Sequence, residues 1–257
     1  MGMKIKVLGC SGAEYPGRYS PAFLVDGEIL LDAGTITSVL GEKQQMRIRK
    51  IFVTHAHLDH IRGIPSLADN FVTAPERRRV EVYSIPPVVE TIRKNLFNGA
   101  VWPDFTVIPH PDDAILHLIK VREGRPVRNG KYTVTPYRVS HTVPSVGFLV
   151  EDEKARRFFY TGDTGPTPGT WKKIGKRKIH CLIIDVSFPD AFEELAIRTG
   201  HLTPRLLRME LSKMVFPPDR VFVTHTKPRY RKAIEVEIRK MKIDGMRLLR
   251  DGETIPV

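Results

Sequence analysis

The chain has 257 residues, 41% of them hydrophobic, which suffices for a substantial core and excludes an intrinsically disordered protein. No apolar run approaches the roughly 20 residues needed to cross a bilayer, so no membrane partner is expected. Lys and Arg number 41 against 29 Asp and Glu, a formal charge of +12 that favours an anionic partner such as a phosphodiester, a nucleotide or RNA.

The opening MGMKIKVLG alternates like a strand at once, so no signal peptide is expected. Cys10 and Cys181 lie far apart and form no CxxC pair, which suits a reducing, cytoplasmic setting without disulfides. Short β-branched runs then predict strands over 4–8, 22–25, 29–32, 51–54, 80–83, 133–139, 146–150, 158–161, 179–185 and 221–224. The stretch 98–130 is the least regular and reads as loops or a lid. Helices follow several strands. The clearest runs from Pro204 to Met214, with Thr203 as N-cap and Pro204 at the first helical position. Another covers about 231–241, where Ile234, Ile238 and Met241 share a face. The whole of 1–257 reads as a single α/β domain with mixed sheets. Basic clusters at 77–79, 172–178 and 229–232 are read as solvated faces. Oligomeric state is open, a homodimer being compatible with the sequence.

The runs IFVTH (51–55) and VFVTH (221–225) end alike, which predicts two related halves facing one site. Asp32, Asp163 and Asp185 also sit where strands stop, the edge at which α/β proteins build sites. THAHLDH places His55, His57, Asp59 and His60 within six residues after a strand. Imidazole nitrogens and carboxylate oxygens are zinc ligands, and four so close together are rarely incidental. On an extended loop His55 and His57 point the same way, while Asp59 and His60 address a neighbouring position. His141, Asp163 and His225 complete two metal sites. Site one is His55, His57 and His141; site two is Asp59, His60 and His225; Asp163 is shared. By ligand type the ions are zinc, with manganese or iron also accommodated.

The motif His55-Ala56-His57-Leu58-Asp59-His60 resembles the HxHxDH signature of the metallo-β-lactamase fold superfamily, whose later His, Asp and His fall on His141, Asp163 and His225. The resemblance implies a four-layered αβ/βα sandwich of two mixed β-sheets flanked by helices. The iron-using flavodiiron branch carries Glu where this chain has His57, as the hydrolases do. FNGAVWPDF (97–105), SVGFLV (145–150), TGDTGP (161–166), SFPD (187–190) and GHLTP (200–204) together look like the class II cyclic-nucleotide phosphodiesterases.

The expected activity is therefore metal-dependent hydrolysis of a cyclic 3′,5′-nucleotide or similar small phosphodiester by metal-bound hydroxide attack on phosphorus. Asp59 is the candidate to orient the hydroxide. His201, just before the helix at Pro204, is the candidate general acid, by analogy with a similar His in the tRNA 3′-end endonuclease branch. The backbone N–H groups starting that helix also favour a phosphate. Phe97, Trp102 and Phe105 form either a stacking surface for a purine or an apolar plug, and Ser145 and Thr164 are candidate phosphate partners. Gly9, Gly12 and Gly34 read as tight turns near the site. Two other readings stand beside this one: an RNA-processing endonuclease of the tRNA 3′-end type, and a catalytically silent metal-binding protein.

Overall fold

The computed structural model describes residues 2–74 and 78–257, so Arg77 of the first basic cluster lies outside the described residues. Two seven-stranded sheets face each other. The first contains β1 (Lys4–Gly9), β2 (Ala22–Val25), β3 (Ile29–Leu31), β4 (Lys50–Phe52), β5 (Val80–Ser84) and β6 (Leu116–Lys120). The second contains β7 (Val127–Asn129), β8 (Tyr132–Arg138), β9 (Val146–Asp152), β10 (Arg157–Tyr160), β11 (Cys181–Asp185), β12 (Arg220–Thr224) and β13 (Met246–Leu248). The last strand, β14 (Thr254–Pro256), returns to the first sheet and pairs antiparallel with β1. The orders are β14-β1-β2-β3-β4-β5-β6 and β13-β12-β11-β10-β9-β8-β7.

The sheets are built alike. From β3 to β6, and from β10 to β13, neighbours are parallel; the remaining pairs are antiparallel. The two Thr-His runs follow β4 and β12, one in each parallel half, which answers the expectation of two matching halves. Helices are α1 (Glu42–Gln45), α2 (Leu58–Ile61), α3 (Gly63–Val72), α4 (Pro86–Asn95), α5 (Pro168–Ile174), α6 (Glu193–Thr199), α7 (Pro204–Leu211) and α8 (Arg231–Lys240).

The central strands, such as β2, β3, β10 and β11, are buried on both faces, and alternate residues serve different layers. On β10, Phe158 and Tyr160 join the large cluster between the sheets, while Phe159 joins the cluster under the helices of the second sheet. Between the sheets Phe52 meets Phe148 edge-on at 5.5 Å, and Phe23 lies 4.8 Å from Tyr160. In the outer cluster Trp171, Leu206, Leu207, Ile234 and Ile238 bring α5, α7 and α8 onto the second sheet. On the other side Leu67 and Phe71 of α3 and Val88 and Ile92 of α4 join the large cluster. The result is the expected sandwich of two mixed sheets flanked by helices.

The stretch 98–130 differs from expectation. It contains β6, which pairs with β5 over five residues, and the edge strand β7. Phe97 and Phe105 are buried in the core, so this segment closes the sheet edge instead of standing free. The strands at 246–248 and 254–256 were not legible either, being three residues each. The helix from Pro204 ends at Leu211, capped as expected by the Thr203 hydroxyl, which accepts from Leu206 N–H.

Candidate metal centre

After β4 the chain stays extended through His57, which has φ −67° and ψ 146° and caps α2. His55 and His57 therefore share one side, with His55 Nε2 3.1 Å from His57 Nδ1. Asp59 and His60 lie on the single turn of α2 rather than on a loop, and that turn directs them to an adjacent position. Two glycines allow the neighbouring loops to come this close. A Cβ on Gly34 would lie 2.0 Å from the Asp59 carbonyl oxygen, and one on Gly12 would lie 2.3 Å from the His225 carbonyl oxygen. Neither has positive φ, so close approach and not a tight turn requires the glycine. His225 and Asp32 themselves adopt left-handed φ of 61° and 56°. That conformation is strained for most side chains and collects at functional sites.

All seven predicted ligand residues are brought together. Ligand-type atoms of His55, His57, His141 and Asp163 lie within 4.8 Å of one another, as do those of Asp59, His60 and His225. Asp163 stands between the groups: its Oδ2 is 3.7 Å from His55 Nε2, 3.9 Å from His141 Nε2 and 3.3 Å from His225 Nε2, and its Oδ1 is 3.3 Å from His60 Nε2.

The surrounding hydrogen bonds decide where the imidazole lone pairs point. Thr54 donates its hydroxyl hydrogen to Asp32 Oδ2 at 2.9 Å, so at 3.0 Å it accepts from His55 Nδ1. His60 Nδ1 donates to Asp32 Oδ2 at 2.7 Å, and His141 Nδ1 donates to the Gly200 carbonyl at 2.8 Å. Ser187 donates to Asp185 Oδ1 at 2.7 Å and thus accepts from His225 Nδ1 at 2.8 Å. The Nε2 atoms of His55, His60, His141 and His225 are then lone pairs turned toward a buried carboxylate. His60 Nε2 and Asp163 Oδ1 are buried without a hydrogen-bond partner among the described residues. Acceptors that face one another with no hydrogen between them fit a divalent cation, and the donor types fit it too.

The electrostatics agree. Burial pushes the Asp163 carboxyl up, but His225 and His60 outweigh it and hold its pKa well below the usual range. Asp59 behaves likewise, burial being overcome by its contacts with His225 and His60. Burial, with His60 alongside, holds His55 well below the ordinary histidine value, and burial also lowers His57 and His141. His60 moves the other way, because Asp163 and Asp32 on its two sides overcome burial.

His201 lies beside this cluster, its ring 5.2 Å from those of His141 and His225. Its Nδ1 is 2.7 Å from Asp185 Oδ2. Burial lowers its pKa, yet Asp185 outweighs burial and raises it, so the proton is held at higher pH. Asp185 stands with Asp163, His201 and His225 in a third group whose ligand-type atoms lie within 4.8 Å of one another, and it accepts from Ser187 on Oδ1 and from the Thr164 N–H and His201 on Oδ2, the pattern of a support behind the histidines.

Several expectations fail here. The first turn of α7 has no N–H for a phosphate: Pro204 has none, Arg205 N–H goes to Asp190 at 2.7 Å, and Leu206 N–H goes to Thr203. Ser145 and Thr164 are buried and donate to the Val143 and Gly165 carbonyls. Phe97 and Phe105 belong to the core with Trp102 packed against it, the apolar plug and not the stacking surface. What went unassigned was the supporting set Asp32, Thr54, Tyr160, Asp185 and Ser187. The signal was present for two of them, since EILLD and CLIID both end apolar strands on a carboxylate.

The chain belongs to the β-lactamase superfamily domain family, whose model matches residues 28–226. Membership implies divalent metal binding at the His/Asp cluster. Among relatives, a probable 3′,5′-cyclic-nucleotide phosphodiesterase of Yersinia pestis is 27% identical over 184 residues, 65% of this chain and 51% of the relative. A ribonuclease Z of Pyrococcus abyssi is 29% identical over 190 residues, 69% of this chain and 58% of the relative. Both matches thus span only half to three-fifths of the relatives' length. The unliganded yeast PDE1 structure superposes with a TM-score of 0.85 at 18% identity, covering 100% of this chain and 99% of that one, a likeness of fold alone.

Proposed function

We propose that the protein is a dinuclear metal-dependent phosphodiesterase that hydrolyses a cyclic 3′,5′-nucleotide or a similar small phosphodiester. The observation that carries this reading is the convergence of four imidazole Nε2 atoms on the buried Asp163 carboxylate at 3.3–3.9 Å. His55, His57 and His141 would hold one cation and Asp59, His60 and His225 the other, with Asp163 shared between them. The His/Asp donor set favours zinc, and manganese or iron fit the same atoms. Bound there, two such cations make water acidic near neutral pH and neutralise charge on phosphoryl oxygens.

The chain's own groups do the rest. Asp59, a third exposed, has a carboxylate able to orient the attacking water. Water loses a proton to solvent as its oxygen bonds to phosphorus, the bond to the ribose oxygen breaks, and that oxygen takes a proton from His201, which regains one from solvent. The pairing of His201 with Asp185 keeps this proton available near neutral pH. Relatives named as cyclic-nucleotide phosphodiesterases support the substrate class. The charge of +12 and relatives named ribonuclease Z favour a second reading, endonucleolytic cleavage of RNA. We place the protein in the cytoplasm; among the described residues no helix is long and apolar enough to cross a membrane.

The test is a screen of metal-analysed protein against cyclic nucleotides, linear phosphodiesters and a tRNA precursor. Turnover of cyclic 3′,5′-nucleotides to monophosphates supports the first reading, and preference for the precursor supports the second. Failure to cleave any of them with two metals bound overturns both.

A further inference from the structure

Two cationic side chains flank the cluster, and the structure treats them differently. Arg62, near Asp59, is spent: it pairs with Glu14, and its Nε donates to the Gly34 carbonyl at 3.0 Å. Lys227, two residues beyond His225, is half-buried and makes no ion pair among the described residues. Its Nζ donates to the Gly12 carbonyl at 2.5 Å, a neutral partner that leaves two N–H donors unused.

The ammonium is held beside the site by its surroundings. Gly12 lies against the His225 ring so closely that a Cβ would sit 2.7 Å from Nδ1. Gly12 N–H donates to the Thr226 carbonyl at 3.2 Å, Ser11 bridges Thr226, and Lys227 N–H donates to the Ser187 carbonyl at 3.3 Å. A cation fixed between the loop at 11–12 and Ser187, without an anion of its own among the described residues, is ready to receive one.

We propose that Lys227 binds a phosphoryl oxygen of the substrate and of the phosphate product, a role that rests on the phosphodiesterase reading above. The chemistry recognised is a phosphate anion. Binding to substrate and product alike affects KM and product affinity more than kcat.

The test uses the zinc-loaded full chain, with inorganic phosphate titrated calorimetrically and bis(4-nitrophenyl) phosphate as substrate. Lys227→Met is expected to weaken phosphate binding about tenfold and raise KM by a similar factor, at unchanged metal content and kcat. Lys227→Arg should recover most of the loss, and the exposed-helix control Lys232→Met should behave as wild type. KM of Lys227→Met should also rise less steeply with salt. Unchanged phosphate affinity in Lys227→Met, or no phosphate binding by the wild type, overturns the proposal. The phosphate titration needs no turnover, so a chain that binds phosphate through Lys227 but cleaves no diester would sink only the activity reading.

Discussion

Tyr160 donates its phenolic hydrogen to Asp32 Oδ2 at 2.7 Å, a bond that ties the second sheet to the first directly beneath the metal centre. Asp32 is fully buried and takes three further donors: Thr54 N–H on Oδ1 at 2.7 Å, and the Thr54 hydroxyl and His60 Nδ1 on Oδ2. Burial and Asp32 raise the Tyr160 pKa well above its usual value, so the hydroxyl stays a donor. A buried carboxylate with four donors is stable only while the set is complete. Asp32→Ala is therefore expected to free the His60 ring and lower metal affinity 10–100-fold, with the ion held by His60 lost first. Tyr160→Phe should cost about 1–2 kcal/mol of stability with a smaller metal defect. Elemental analysis and chemical denaturation of both variants would check this, and full metal content in Asp32→Ala would contradict it.

Asp163 lies 3.3–3.9 Å from ring nitrogens of both proposed ligand groups. Asp163→Ala should reduce the stoichiometry of both metals and hydrolysis together. Retention of two ions per chain would show that Asp163 does not serve both.

His201→Ala should lower kcat by about 10²–10⁴ while both metals remain bound. The loss should shrink for diesters with good leaving groups, whose departing oxygen needs no proton. Asp185→Asn should follow the same pattern more mildly, with the limb of the pH–rate profile that reports His201 moved to lower pH. An equal loss for good and poor leaving groups would remove His201 from the proton-donor role.

A pH-dependent contribution is expected far from the site, at the β9–β10 hairpin. Burial pushes the Asp152 carboxyl up, but the Arg156 and Lys154 N–H groups and the Arg156 guanidinium outweigh it and lower its pKa. A carboxyl depressed in the folded state stabilises above its unfolded value, about 3.9, and loses that contribution as pH falls through its folded value. Asp152→Asn should thus have a lower urea midpoint than wild type at pH 7, with the gap closing below about pH 4. A gap that stays constant down to acid pH would exclude the charge as its origin.

The clustering His and Asp residues were legible because metal chemistry admits few residue types and HxHxDH packs four of them into six positions. Asp163 and His225 were legible as strand-end residues. The supporting carboxylates were visible as strand ends but not as partners, since nothing in EILLD or CLIID says which imidazole each will meet. Edge strands such as β7 and β14 escaped because three residues carry little periodicity, and they gain their stability from the neighbour they pair with.

Periodicity and ligand chemistry, both local properties, determined the α/β class, the paired Thr-His halves and the His and Asp residues proposed as cation ligands. Tertiary structure alone decided how those side chains are aimed. The lone pair of His60 is set by Asp32, 28 residues away, and Asp32 is completed by Tyr160, 128 residues away. It also decided that Ser145 and Thr164 are spent on backbone carbonyls and the helix end at Pro204 on the side chains of Asp190 and Thr203, while Lys227 meets only the neutral Gly12 carbonyl among the described residues. Hydrogen-bond capacity is used up by whichever partner the fold brings near, and that accounting exists only once the sheets have closed on each other.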